Sequence, residues 1–390
     1  VMTFAHSIYA ILVVILFSAC SRFPVSGHID MVNSQKRPVI YLIDPVNFGS
    51  LLSSFEGKVI DSTTIDQKGN FQFTKMPASS EKKLYLITIQ KHGEKYPTKL
   101  ENDVPDSSNY IPFVFQAQEN IKINSVANQL TKNASIESKT TDNQSIIKLI
   151  QNRSLLYGEY KAKSKIASED QLLEAEKAKL EFQKSLMESV LNDKSVFVTA
   201  LALRWISPNG DYERLPELVK SACLNLTKNA PDHLWTQQIC AKSASLSLTL
   251  GDQFPDFPMP MKNLDTISLH SLLADKLTLI DLWASWCAPC RQENRNILVP
   301  LWDKYHQNGF QIIGYALDSS DKGWNNAISK DGADRWLHAS HLQGDVSPLF
   351  DLLKISTIPA NYLVNKEGIV LAKNLHGVEL TAWVDNYMKK

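Results

Sequence analysis

The segment Leu277-Thr278-Leu279-Ile280-Asp281-Leu282-Trp283-Ala284 is an apolar run holding a single acid, and it leads directly into Ser285-Trp286-Cys287-Ala288-Pro289-Cys290. A run this apolar reads as a central, buried strand. Arg291 to His306 reads as a helix, and Gly309 suits its C-terminal end. The first cysteine of a Cys-x-x-Cys pair is thereby placed where a strand hands over to a helix. A helix N-terminus offers unpaired N–H groups and the positive end of the helix dipole, and both favour a thiolate. The thiolate is the nucleophile in thiol–disulfide exchange. The second cysteine, one turn further on, is close enough to resolve a mixed disulfide.

A Cys-x-x-Cys pair is also half of a zinc site. This chain has no second such pair, and its nine histidines form no ligand spacing, so no metal is expected. The other cysteines are Cys20, Cys223 and Cys240, and five in all are too few for a disulfide scaffold. At 390 residues the chain exceeds one ordinary domain, so two or three are expected. Its 41 basic and 41 acidic residues cancel, which argues against a nucleic-acid surface or a polyanionic substrate.

Residues 25–125 read as all-β. Short runs recur at Val39–Ile43, Thr63–Ile65, Phe71–Phe73, Leu84–Ile89, Ile111–Phe115 and Ile121–Ile123, separated by turn residues such as Asp66-Gln67-Lys68-Gly69-Asn70. A sandwich-like domain or open barrel is expected, without a catalytic constellation. Residues 126–250 read as a polar linker, to about 150, followed by a helical region. In that region Leu172, Ala175, Phe182, Leu186 and Val190 fall at helical steps, a pattern that marks a packing face. Asn229-Ala230-Pro231-Asp232 separates two helices. Cys223 and Cys240 flank this break, either as a structural disulfide across a helical hairpin or as two buried free thiols. Gly251–Pro260, punctuated by Pro255 and Pro258, cannot be a helix and leads into the last domain, 251–390.

At the other end, Ile8–Phe17 is an apolar run too short to span a bilayer comfortably but suited to a signal-peptide core, so residues 1–19 are expected to be a targeting segment. Phe17-Ser18-Ala19-Cys20 resembles a bacterial lipobox. That resemblance implies acylation of Cys20, with residues 20–24 as a lipidated tether, and an ordinary cleaved signal is the alternative. Either way the chain would be exported to a compartment where disulfides persist.

Asp281 to Arg291 resembles the thioredoxin active site nearly residue for residue, and further landmarks follow in order. Phe310–Ala316 is the next strand. Ile358-Pro359 precedes the strand Ala360–Val364, as the cis-proline does in thioredoxins. Asn365-Lys366-Glu367-Gly368 turns into Ile369–Ala372, and Gly377 precedes a terminal helix. Cys290-Arg291-Gln292-Glu293 and the insertion from Asp318 and Trp324 to Trp336–His341 resemble the TlpA/ResA-like membrane-tethered reductases. The string around Gly57–Asp66 and Lys68–Phe71 resembles the β-domain that precedes thioredoxin domains in envelope lipoproteins.

These resemblances imply a multidomain chain: an N-terminal all-β sandwich-like domain, a central α-helical region and a C-terminal α/β thioredoxin fold. Cys287 would attack and Cys290 resolve. Asp281 would be a buried acid that takes the proton of Cys290, and Glu293 would tune the cysteines. Pro359, if cis, would lie across the disulfide, with Ile358 and Trp286 at the substrate side. Arg291 reads as surface charge. The implied activity is reduction of protein disulfides in the bacterial cell envelope, on the periplasmic side of a lipid anchor. No cofactor is needed beyond the redox-active Cys287–Cys290 pair, and a membrane thiol donor would restore the dithiol. The competing readings are a thiol peroxidase, or a partner- or glycan-binding lipoprotein with an accessory redox domain. The peroxidase reading needs a Thr and Arg arrangement not seen around Cys287.

Overall fold

The computed structural model describes residues 24–390 apart from 78, 102–103, 165–171 and 264. The targeting segment and Cys20 lie outside the described residues. The N-terminal part contains β1 (Val25–Asp30), β2 (Lys36–Asp44), a short helix α1 (Phe48–Leu52), β3 (Lys58–Thr64), β4 (Asn70–Phe73), β5 (Lys83–Lys91), β6 (Tyr110–Phe115), β7 (Ile121–Val126) and β8 (Ser135–Glu137). They form two four-stranded sheets, ordered β4-β1-β7-β8 and β3-β2-β5-β6. One core lies between them, built from Val25, Ile29, Ile40, Phe73, Ile87, Phe113 and Ile123 among others.

Strand β1 pairs in parallel with β7, with Val25 opposite Ile121. Its Val-Ser-Gly-His-Ile-Asp sequence carries little strand signal. Gly27 permits the close approach to β7, because a side chain there would strike the Ile123 carbonyl.

Strands β5 and β6 are buried along nearly their whole length, which explains why Leu84–Ile89 shows no polar alternation. Their second face belongs to a core built with helices α2 (Thr141–Lys163), α3 (Leu172–Glu188), α4 (Val196–Ile206), α5 (Pro216–Asn229) and α6 (Leu234–Ala244). Leu84, Leu86, Tyr110 and Val114 from the sheet share a core with Ile146, Leu186, Leu201 and Leu226 from the helices. Arg204 of α4 and Trp205 Nε1 both donate to the Tyr110 hydroxyl, at 3.2 and 2.6 Å. The sheet and the helical region are therefore joined by a common core.

The polar stretch 126–150, read as a linker, is instead structured. It holds β8 and the first half of α2. Its polar side chains serve backbone groups. The Asn143 amide accepts from Val114 N–H (2.7 Å) and donates to Val114 C=O (2.8 Å), completing the edge strand β6 as another strand would. Composition alone cannot separate such a use from a solvated tether.

The last part begins with a two-stranded ribbon, β9 (Pro258–Pro260) and β10 (Thr266–Ser268). Then come β11 (Leu277–Trp283), α7 (Ala288–Glu293), α8 (Val299–Tyr305), β12 (Phe310–Ala316), α9 (Asp321–Asp331), β13 (Leu337–Ala339), α10 (Pro348–Leu353), β14 (Ala360–Val364), β15 (Val370–Lys373) and α11 (Gly377–Met388). The five strands order as β13-β12-β11-β14-β15, so β11 is central. It runs parallel to β12 and antiparallel to β14. The helix expected over Arg291–His306 is divided by a π turn at Asn294–Leu298, just before Pro300, whose missing N–H removes a helical hydrogen bond.

Candidate active site

Every residue of β11 is buried, and the strand ends at Trp283 one turn before the cysteines. Asp318, itself buried, accepts from Ser285 N–H (2.9 Å) and Ser285 Oγ (2.5 Å) and holds that turn. Cys287 is the N-cap of α7. Its Sγ accepts from the Cys290 N–H at 3.3 Å, and its C=O takes the Arg291 N–H at 3.0 Å. The sulfur thus occupies the position of a capping oxygen, where a helix N-terminus favours negative charge. Cys287 and Cys290 are joined as a disulfide, with Cα atoms 5.3 Å apart. The pair is largely covered, Cys287 being 6% and Cys290 2% exposed. Trp286, adjacent in sequence, is 63% exposed and presents a large apolar face beside a nearly closed disulfide.

Asp281 is 5% exposed on β11, between Gly314 of β12 and Asn361 of β14. The Asn361 amide is committed to Leu375, donating to its C=O (2.6 Å) and accepting from its N–H (3.1 Å). Among the described residues no hydrogen bond reaches the Asp281 carboxyl. Burial, and secondarily the negative charge of Glu293, therefore hold its pKa well above the usual carboxylate range.

Glu293 is also buried, at the end of α7, but it has donors: Gly377 N–H at 3.0 Å and His376 Nδ1 at 2.8 Å. The same two residues line a cavity of about 530 Å³ between α3 and the last domain, together with Arg214, Lys373 and Trp383.

The Ile358–Pro359 peptide bond is cis. Leu282 pairs with Ala360, so Pro359 sits at the end of the sheet from which the Ser285–Cys287 turn emerges. Arg291 is not the surface charge expected from the sequence. Its guanidinium pairs with Asp331 of α9 through Nε and, at 2.8 Å, through Nη2, and donates to Ser285 C=O at 3.1 Å. The Asp331 side chain is fully buried, and such a carboxylate requires a partner.

Cys223 of α5 and Cys240 of α6 are joined as a second disulfide, remote in sequence from the first, with Cα atoms 4.9 Å apart. Among the described residues no group of three or more His, Cys, Asp or Glu is placed to hold a metal ion. The sequence marked Asp318 only as the start of an insertion, without its hold on Ser285, and did not point to Asp331 or His376. Only Asp318 carried a local signal, as an acid just beyond the end of a strand parallel to β11.

The sequence pattern of the AhpC/TSA family matches residues 250–373. A curated relative, the thiol-disulfide oxidoreductase ResA of Oceanobacillus iheyensis, is 30% identical over 123 residues, covering 30% of this chain and 61% of the relative. The thiol:disulfide interchange protein DsbE of Pseudomonas fluorescens biotype C is 24% identical over 37% of this chain and 76% of its own length. Among solved structures, the thioredoxin domain of a thiol-disulfide oxidoreductase from Bacteroides vulgatus is 27% identical, covers 36% of this chain and 99% of that one, and has a TM-score of 0.34. The chain thus spans less than two thirds of the first relative's length, and all three similarities concern only about a third of this chain. Residues 250–373 form a thioredoxin-like domain of the AhpC/TSA family, similar to those of thiol–disulfide oxidoreductases.

Proposed function

We propose that this chain reduces protein disulfides in the bacterial cell envelope, using the Cys287/Cys290 dithiol. The observation that carries the reading is the capping geometry of Cys287, whose Sγ meets the Cys290 N–H at the start of α7 beside an exposed Trp286.

In the reduced protein the Cys287 thiolate attacks one sulfur of a substrate disulfide. A Cys287–substrate disulfide forms and the other substrate sulfur leaves as a thiolate. Asp281 then accepts the proton of Cys290, as its uncompensated burial suits it to do. The Cys290 sulfur attacks Cys287 Sγ and the second substrate thiol departs. Two electrons have moved to the substrate, and the protein is left with the Cys287–Cys290 disulfide. A membrane thiol donor would return it to the dithiol. The ResA and DsbE relatives carry names of this chemistry.

A peroxidase would require a guanidinium free to face the attacking cysteine. Arg291, next to the pair, is instead taken by Asp331 and Ser285. The β-sandwich reading of residues 25–125 is supported by the core that the two N-terminal sheets share. Anchoring at Cys20 is supported by the Ser18-Ala19-Cys20 ending of the short apolar run. Among the described residues no helix is long and apolar enough to cross a membrane.

The test is turnover of insulin disulfides by the full chain with a dithiol reductant, together with mass spectrometry of the mature N-terminus. Turnover lost in Cys287→Ser supports the reading. A wild-type chain that does not reduce insulin overturns it. A mature terminus other than an acylated cysteine removes the anchor and leaves the activity standing.

A further inference from the structure

The loop between α4 and α5 reaches across to the thioredoxin-like domain. Its sequence, Asp211-Tyr212-Glu213-Arg214-Leu215, alternates between inward and outward groups. Tyr212 and Leu215 are buried in the helical core, and the Tyr212 hydroxyl donates to Leu203 C=O at 3.2 Å. Glu213 and Arg214 between them point the other way.

The Glu213 carboxylate accepts from Ser356 N–H (2.9 Å), Ser356 Oγ (2.6 Å) and Thr357 N–H (2.9 Å). Arg214 donates to Pro359 C=O (2.6 Å), to Thr357 C=O (3.4 Å) and to Asn374 Oδ1 (3.0 Å). Arg214 is itself held by Glu176 of α3 at 3.3 Å. Two adjacent residues thus make five hydrogen bonds to residues 356–359 and a sixth to Asn374, all more than 140 residues away.

The loop that they hold lies at the end of the sheet from which the Ser285–Cys287 turn emerges. Pro359 immediately precedes Ala360, which pairs with Leu282 at the end of β11. Ser356 and Thr357 are exposed, and among the described residues their backbone N–H groups have no other hydrogen-bond acceptor than Glu213. The clamp uses the groups of 356, 357 and 359. Among the described residues no hydrogen bond is made by the backbone N–H or C=O of Ile358, the one residue in the loop left with both groups for another chain. Charge-assisted bonds are the stronger kind, and a loop ordered beforehand spares an incoming chain the entropy of ordering it.

We propose that Glu213 and Arg214 are positioning residues for substrate recognition. They preset the 356–359 loop so that Ile358 offers its backbone to an extended polypeptide carrying the disulfide. The helical region then forms part of the substrate site of the thioredoxin-like domain. The proposal rests on the reading of the chain as a reductase of protein disulfides.

The experiment compares two substrates on the full chain. Insulin tests recognition of a polypeptide, and 5,5′-dithiobis(2-nitrobenzoate) tests only the reactivity of Cys287. The Glu213→Ala/Arg214→Ala double variant is expected to raise the insulin KM about 10-fold with kcat nearly unchanged. Its rate with the small disulfide should stay within about twofold of wild type. Arg214→Lys, which cannot fork to two carbonyls, should be intermediate, and the amides of Ser356 and Thr357 should exchange faster in Glu213→Gln. An unchanged insulin KM overturns the proposal, and so does a parallel loss with both substrates, which would make the clamp a support of the domain as a whole. A wild-type chain inactive on insulin is a separate failure. It overturns the underlying activity, and the inference with it.

Discussion

Asp281 and Glu293 are two buried carboxyl groups in one domain, and only Glu293 has hydrogen-bond donors. Gly377 N–H and His376 Nδ1 serve Glu293 at 3.0 and 2.8 Å. Asp281, between Gly314 and Asn361, has none among the described residues, and the charge of Glu293 pushes its pKa further up. Of the two, Asp281 is therefore the carboxyl whose affinity for a proton is raised, which suits it to take one from Cys290.

The first consequence concerns stability. The pKa of Asp281 is raised in the folded state, so between its unfolded value, about 3.9, and its folded value the native protein binds more protons than the unfolded one. Stability must then fall as pH rises through that window. Asp281→Asn removes the charge and should stabilise the protein above the window by about 1–3 kcal/mol, the scale of a buried group lacking partners. Below the window the two proteins should be nearly equal. Urea unfolding followed from pH 3 to pH 9 measures both, and a variant less stable than the wild type at the alkaline end would contradict the assignment. The same substitution should slow resolution of the mixed disulfide by on the order of 100-fold while sparing the first attack.

Glu293→Gln keeps an acceptor for Gly377 but removes the negative charge. The Asp281 pKa should move downward, and the pH profile for resolution should shift to lower pH with it. Stopped-flow decay of a preformed mixed disulfide across pH 5–9 reads the shift. A profile displaced upward would mean that Glu293 does not act on Asp281 by charge.

Cys287 and Cys290 should separate in reactivity. The N-cap position should bring the Cys287 pKa below the roughly 8.5 of a free thiol, while the more covered Cys290 stays protonated. Cys287→Ser should abolish exchange, and Cys290→Ser should accumulate mixed disulfides. Alkylation of each single-cysteine variant against pH decides the order, and a faster Cys290 would reverse the roles.

The Cys223–Cys240 disulfide closes a loop with a sequence separation of 17. Replacing both cysteines with serine should cost about 3 kcal/mol by the loop-entropy account. Insulin turnover at 25 °C should be unaffected. Thermal unfolding with and without reductant tests this, and loss of turnover without loss of fold would give the pair a redox role.

What the sequence determined by itself was local. The step from β11 to α7, the capping position of Cys287, the break at Asn229–Asp232 and the turn at Asn365–Gly368 follow from apolar periodicity, helix ends and turn chemistry within a few residues. The tertiary structure decided the rest, and the reason is physical. Glu293 meets Gly377 across 84 residues, Arg214 meets Pro359 across 145, and Asn143 completes the Val114 edge across 29. In each case a side chain bonds to a backbone group, and every residue type offers much the same backbone. Nothing in the identity of Gly377, Pro359 or Val114 marks it as a partner, so only the packing of α2, α7, α11 and the α4–α5 loop brings these groups together. The same holds for β5 and β6. Their apolar runs announced burial, but whether the second face met solvent, a sheet or helices was settled only when Leu84 and Tyr110 closed a core with α2 and α4.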